Sequence, residues 1–445
     1  MHLKRILLSG ILLPAVVCSP ALAAVPSPAN STIPAHINLV ASAGGVVDPF
    51  GTFTVTVRDA ASNPITGSTV VVDFSACASL GLGQAMPANV VSCSAKTVTA
   101  ISDASGVATF DIAGFAYACG GCGQSQCAII KADLVPLGTI SVGAFDLDGT
   151  SGLDPSDVSL WLADFELGCE SERTDYDGNG KSLASDLSIL LQRINDGNDT
   201  ESAGRCDGLP NTQVVVTGGA LNFHWDDCLA GGGTLAKSFA CATNTGAETM
   251  VGSIVPSSTA AMVTGFTADI VVQTNSPVLS PWWSLKLPGG CRAGALSLSV
   301  DFTIAPSACD AWTGMPNFGD ILSFTTPDGS NLNRARVRIL GVSTPPVTLN
   351  ASTEYALFKF NLGHSKTTGT GSCAGCSVPA CILLEQVLLT QLQDPGCPGG
   401  AVRPNFKIVT PGSGNTLSWQ TTVPACQGAT SARQDTWGHL KSLYR

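Results

Sequence analysis

Nearly all the negative charge of this chain is confined to one short stretch. Residues 140–205 hold 14 acidic and 4 basic side chains, a net of −10, while the whole chain of 445 residues carries −11. The acids in that stretch are ordered. Residues 146–157 read DLDGTSGLDPSD and residues 175–186 read DYDGNGKSLASD, two twelve-residue runs that begin 29 residues apart. Carboxylates this dense repel one another in a compact chain unless a cation neutralises them. Each run leads into apolar residues at helical spacing: Val158, Leu160, Trp161, Leu162 and Phe165 after the first, Leu187, Ile189, Leu190, Leu191 and Ile194 after the second. The segment reads as two acidic loops, each with a helix starting at its last acid.

A hard cation such as calcium takes six or seven oxygens, and an EF-hand loop supplies them from positions 1, 3, 5, 7, 9 and 12. In the first run these are Asp146, Asp148, Thr150, Gly152 (through its carbonyl), Asp154 and Asp157. In the second they are Asp175, Asp177, Asn179, Lys181 (carbonyl), Leu183 and Asp186. Leu183 has no side-chain oxygen, so water would serve there. Gly180 supplies the sharp turn needed at position 6, where the first run has Ser151. Two Ca2+ sites are expected, with folding of the segment dependent on them. Aspartate, asparagine and glycine also form solvated turns without metal; two copies in register weigh against that reading.

The duplicated loop and helix, with Asp rather than Glu at position 12, resembles the dockerin module, the paired calcium-binding repeat of cellulosome proteins. The resemblance covers residues 144–196. It implies a cohesin-like partner bound through loop positions 10 and 11, here Pro155-Ser156 and Ala184-Ser185; the Ser/Thr pair common in one dockerin class is absent. Dockerins often lie at a chain end, whereas this one lies between two domains. A structural calcium clip therefore stands beside cohesin docking as a reading.

Only 12% of residues are charged, 44% are hydrophobic, and there are 48 Gly and 26 Pro. That composition excludes a wholly disordered chain or a long charged helix and favours a mainly β protein rich in turns. An acidic chain without clustered Lys and Arg is no nucleic-acid partner. Upstream of the acidic segment, Phe53, Val55 and Val57 alternate with polar residues, Asp59 to Pro64 reads as a turn, and strands follow at Ser68–Phe74 and Val107–Ile112. Residues 36–143 are expected to form an Ig-like β-sandwich. The runs FTVTVRDAASNPITGSTVVVDF and SDASGVATFDI resemble bacterial Ig-like repeats of surface adhesins, which implies a spacer or binding module without a catalytic site. After a Gly/Asp/Asn/Ser-rich linker at 197–212, residues 213–445 alternate again, at Phe266–Val272, Leu296–Phe302, Arg334–Ile339 and Ala356–Phe360. A larger C-terminal β-sandwich is expected there, with jelly roll as the candidate arrangement and a short tail, Thr436–Arg445, docked on it.

Lys4 and Arg5, the apolar run Ile6–Val17 and Ala21-Leu22-Ala23 form a secretory leader over residues 1–23, followed by a Pro/Ser-rich linker at 24–35. Val17, not a small residue, precedes Cys18, which argues against lipidation. No later apolar run is long enough to span a bilayer. The chain is expected to be secreted, extracellular or at the cell surface. Cys18 aside, sixteen cysteines remain, an even number expected to form disulfides in an oxidising compartment. Cys119, Cys122 and Cys127 share the spacing C-x2-C-x4-C with Cys373, Cys376 and Cys381; zinc, with His364 near the second group, is the alternative. Cys228 with Cys241, and Cys291 with Cys309, are the expected local pairs.

Catalytic signals are sparse. His224-Trp225-Asp226-Asp227 invites a triad, but no known nucleophile or metal motif accompanies it. Beyond residue 205 the only glutamates are Glu248, Glu354 and Glu385, and nothing marks a catalytic carboxylate pair. Trp225, Trp282, Trp283, Trp312, Trp419 and Trp437 could stack on sugars or fill a core, and Arg334, Arg336 and Arg338 could hold an acidic ligand or form a solvated face. The primary expectation is a non-enzymatic, calcium-stabilised modular protein for surface attachment or ligand binding, glycans included. An exported polysaccharide-degrading enzyme, or a component of its complex, is the alternative.

Overall fold

The computed structural model describes residues 24–40, 42–43, 46–120, 126–149, 152–167, 172–195, 204–209, 214–285, 288–302, 309–312, 317–394, 397, 400–401 and 403–421. The leader, Cys122, Thr150, Ser151, most of the 197–212 linker and the tail with Trp437 lie outside them.

The fold is mainly β, with two α-helices among the described residues. In the N-terminal domain a six-stranded sheet runs in the order His36–Leu39, Val135–Ala144, Ala128–Ala132, Thr69–Asp73, Thr97–Ile101, Val90–Ser92. The first pair is parallel and the rest antiparallel. Two hydrogen-bonded pairs complete it: Thr52–Thr56 with Val107–Asp111, and Leu80–Leu82 with Gly114–Ala116. The alternation read from sequence has its physical counterpart here, since Val55, Val57, Val70, Val72, Ala108 and Phe110 are all fully buried.

The Pro/Ser-rich segment 24–35 is not a free linker. Thr32 exchanges both backbone hydrogen bonds with Thr56 at 2.9 Å, and Ser27 N–H donates to the Arg58 carbonyl at 2.8 Å. The described part of the second expected linker is likewise anchored: Arg205 bridges Gly83, and Cys206 is disulfide-bonded to Cys93. Composition flags the shortage of apolar residues in such segments, but backbone pairing needs none.

The C-terminal domain stacks two sheets. The larger follows the order Val215–Thr217, Asn405–Ile408, Ala380–Gln391, Ala260–Thr274, Arg334–Leu349, Asn317–Thr325, with Thr416–Trp419 added on the Ala380–Gln391 strand. The smaller follows Leu296–Ser299, Tyr355–Gly363, Ala247–Val255, Ala220–Trp225, Pro411–Gly414. Between them lies a core of aliphatic and aromatic side chains in which Trp225, Trp282, Trp283, Trp312 and Trp419 are all buried. These five are packing residues, and their indoles are closed to sugar stacking.

Six disulfides join described cysteines: Cys77–Cys127, Cys93–Cys206, Cys119–Cys397, Cys228–Cys309, Cys241–Cys376 and Cys291–Cys373. The expected pairs Cys228–Cys241 and Cys291–Cys309 do not form. The sheets bring partners 81 and 82 residues apart together instead. Cys381 is disulfide-bonded as well. Every sulfur of the 373–381 group is thus in a disulfide, so no thiolate is left for zinc there. Such cross-linking belongs to an oxidising compartment outside the cytosol. No helix among the described residues is long and apolar enough to cross a membrane.

Helix α1 (Pro155–Glu166) and helix α2 (Ala184–Asn195) sit between the two β domains. Phe145, Leu147, Val158, Trp161, Tyr176, Leu190 and Ile194 share one apolar core with the N-terminal sheet, and Leu340 and Val342 of the C-terminal domain join it.

Candidate metal centre

Both helices begin two residues before the last acid of their loop, not at it. In the first, Asp154 is the N-cap: its Oδ1 accepts the Ser156 N–H at 2.6 Å, and Asp157 in the first turn accepts the Asp154 N–H at 2.8 Å. This reciprocal cap satisfies amide donors that the helix cannot satisfy itself, and it places acid where the helix dipole favours it. Asp186 occupies the same first-turn place in α2 and accepts the Leu183 N–H at 2.8 Å.

The other oxygens of these acids fold the loops back on themselves. Asp157 Oδ1 accepts the Leu147 N–H at 2.6 Å, and Asp146 Oδ1 accepts the Gly149 N–H at 2.6 Å. In the second loop Asp186 Oδ1 accepts the N–H groups of Tyr176 and Asp177 at 2.8 and 3.1 Å, and Asp175 accepts those of Asn179 and Gly180 at 3.0 and 2.7 Å. Gly180 takes φ +84°, a conformation that a side chain at this turn would resist.

The result is a pair of matched carboxylate clusters. Oxygens of Asp146, Asp148 and Asp157 lie within 4.8 Å of one another, as do those of Asp175, Asp177 and Asp186. These are loop positions 1, 3 and 12 in both repeats. All three acids of the first cluster are buried, whereas Asp177 of the second is exposed. Burial pushes the Asp157 carboxyl well above the usual carboxylate range, reinforced by the charges of Asp148, Asp146 and Asp154. Burial also raises Asp175, against the hydrogen bond from Gly180 and the neighbouring His36. A bound divalent cation would reverse that electrostatic penalty.

Of the other expected ligands, Asp154 lies outside the first cluster and serves as the helix cap. Gly152, at φ +119°, is buried midway along the loop, and Thr150 is outside the described residues. Asn179 and Lys181 are exposed on the second loop, where Asn179 Oδ1 accepts the Lys181 N–H at 3.0 Å. The clustered donors are carboxylate oxygens, the donor chemistry of calcium or magnesium rather than of a thiophilic metal. Sequence reading did not single out the residues that brace the loops. Asp164 and Arg173 form a buried two-pronged ion pair at 2.7 and 2.8 Å, and Arg173 also donates to the Tyr117 carbonyl at 3.1 Å. The nine-residue separation of that pair fits no helical or loop pattern, so no local signal marks it.

The remaining sequence signals resolve into structure. His224 is buried beside Glu354 and bonds neither neighbouring aspartate; Asp226 pairs with Lys237, and Asp227 accepts the Cys228 N–H at 2.7 Å. Glu354 fastens the 229–230 turn, Glu248 pairs with Lys237 at 2.7 Å and with His364 at 3.1 Å, and Glu385 pairs with Arg336. The arginine face is already neutralised, with Arg334 and Arg336 on Asp328 at 3.2 and 3.1 Å and Arg338 on Asp269 at 3.0 Å.

No known protein-family profile matches the sequence. No curated protein matches it either. Among solved structures, the adhesin InvE of Yersinia pseudotuberculosis aligns over 86% of this chain at 13% identity with a TM-score of 0.16. This chain spans 60% of that adhesin's length. A putative membrane anchored protein of Corynebacterium diphtheriae aligns over 86% of this chain and 91% of its own at 8% identity and a TM-score of 0.14. Both TM-scores are too low to establish a shared fold.

Proposed function

We propose that this is an extracellular modular protein whose two β domains are held by a dockerin-like, two-calcium module and serve surface attachment or ligand binding. The observation that carries the calcium reading is the repetition of one carboxylate cluster at loop positions 1, 3 and 12, each at the start of a helix. Asp146, Asp148 and Asp157 would hold one ion and Asp175, Asp177 and Asp186 the other. The ions would supply charge neutralisation and loop rigidity. The clip reading is favoured over cohesin docking for the first repeat, because Pro155 and Ser156 are buried against the C-terminal sheet. Ala184 and Ser185 of the second repeat are exposed, so a cohesin-like or other cell-surface partner would meet that side. Calorimetric titration with CaCl2 is expected to show two ions per chain, with Asp157→Asn and Asp186→Asn each losing one. Unaltered binding in both variants would overturn the assignment.

A further inference from the structure

We infer that the seam between the helical module and the C-terminal sandwich holds a binding site for a hydroxylated carboxylate of the uronic-acid kind, with Lys407 anchoring the carboxylate. This rests on the ligand-binding part of the proposed function and not on its calcium part.

A cavity of about 190 Å³ lies where the module meets the large C-terminal sheet. Strand residues in register form its floor. Lys407 stands opposite Leu388, and Leu388 opposite Thr267; two residues along, Arg338 and Gln386 stand on either side of Asp269. Residues two apart on a strand share a face, so both rows point toward the module. Leu153, Asp154 and Pro155 from the first loop and the start of α1 form the roof, with Ile194 of α2 beside them. Junctions between domains are favoured places for ligand sites. The volume falls below the roughly 300–1,000 Å³ of drug-sized pockets, which limits the occupant to a single ring unit.

Three polar groups on this floor are not taken up by the protein. The half-buried Lys407 ammonium makes no hydrogen bond or ion pair among the described residues, and neither does the Thr267 hydroxyl. Gln386 gives its Nε2 to Asp269 at 2.6 Å, which leaves its Oε1 to accept from another donor. Arg338 differs, because Asp269 already holds its Nε and Nη2 at 3.0 and 3.4 Å. The unmatched charge on the floor is therefore that of Lys407, and a carboxylate completes it with a charge-assisted hydrogen bond. Asp154 on the roof repels a second carboxylate and so turns the ligand's acid toward Lys407. Gln386 Oε1 and the Thr267 hydroxyl suit ligand hydroxyls, and Leu153, Leu322 and Leu388 offer an apolar wall to the C–H face of a ring. A neutral sugar has no partner for Lys407, and a fatty acid has none for Gln386.

The test is calorimetric titration of the full chain with galacturonate, galactose and acetate, with a glycan array alongside. Galacturonate is expected to bind about tenfold more tightly than galactose, which lacks the carboxylate, or acetate, which lacks the hydroxyls. Lys407→Gln should weaken it about tenfold and Thr267→Val about fivefold, each with an unchanged melting transition. Brief acetylation read by mass spectrometry locates the ligand directly: galacturonate should protect Lys407 and galactose should not. Tighter binding of trigalacturonate than of the monomer identifies the source as the end of a polysaccharide, and weaker binding identifies a free acid. Equal affinity for galactose, or galacturonate binding that ignores both variants, overturns the site. If galacturonate fails while the array shows other glycans bound, this site falls and the ligand-binding function stands. If nothing binds in either experiment, both fall.

Discussion

The two β domains achieve stability by different means. The C-terminal sandwich closes on itself: five buried tryptophans fill its core, disulfides such as Cys241–Cys376 and Cys291–Cys373 staple it, and ion pairs neutralise its arginine face. The N-terminal domain has an aliphatic core that runs on into the helical module, where buried carboxylates crowd together. One domain has settled its electrostatics internally. The other, on the proposed reading, leaves them to ions from solution, so the two should respond differently to the same perturbation.

Chelation is the strongest way to break this comparison. Two sites held at a hundredfold excess over Kd stabilise the folded state by about 5 kcal/mol together. Adding EDTA should therefore lower the melting transition of the N-terminal domain and module while leaving that of the C-terminal sandwich in place, as read by calorimetric scans. A single transition that does not move with EDTA would erase the distinction. Trp419→Ala perturbs the opposite side. Trp419 is fully buried, stacks on Trp282 at 5.1 Å and donates to the Cys376 carbonyl at 2.8 Å. Its loss should cost about 3–5 kcal/mol in urea unfolding, and the cost should be the same with and without calcium.

Gly265→Ala tests the seam between the two. The new methyl would meet Pro155 and also the Gly341 carbonyl, at 2.4 Å from the latter. A loss of about 1–3 kcal/mol is expected, and the apparent calcium affinity should fall with it. The smallest effect concerns acid. Burial raises the Asp73 carboxyl, but hydrogen bonds from Lys131 and Ser75 more than offset this and bring it from 3.8 down to about 2. A carboxyl depressed by folding contributes stability above its unfolded pKa, and that contribution fades as pH falls from about 4 through about 2. Urea midpoints of the native chain and Asp73→Asn should therefore differ at pH 5 and converge near pH 2.

What could be read in the sequence depended on chain separation. The acids of each cluster fall within twelve residues, so spacing alone brings Asp146, Asp148 and Asp157 into one group. Strand alternation was equally local, and Val55, Val57, Val337 and Ile339 all point inward. The disulfides were not legible, because Cys228 reaches Cys309 only through the order of strands in a folded sheet. Nor was the seam. Ser156 and Ser159 look like ordinary polar helix positions, and nothing near them announces partners at Thr264 and Ser343, more than a hundred residues away.

The bond between Cys119 and Cys397 has a consequence for covalent topology. It closes a loop that contains the helical module and most of the C-terminal sandwich. A protease that cuts the chain once anywhere inside that loop makes two polypeptides but releases neither. The nicked protein would migrate as one species until a reductant is added and as two afterwards. Exposure to external proteases can thus break the backbone of this protein without separating the two β domains.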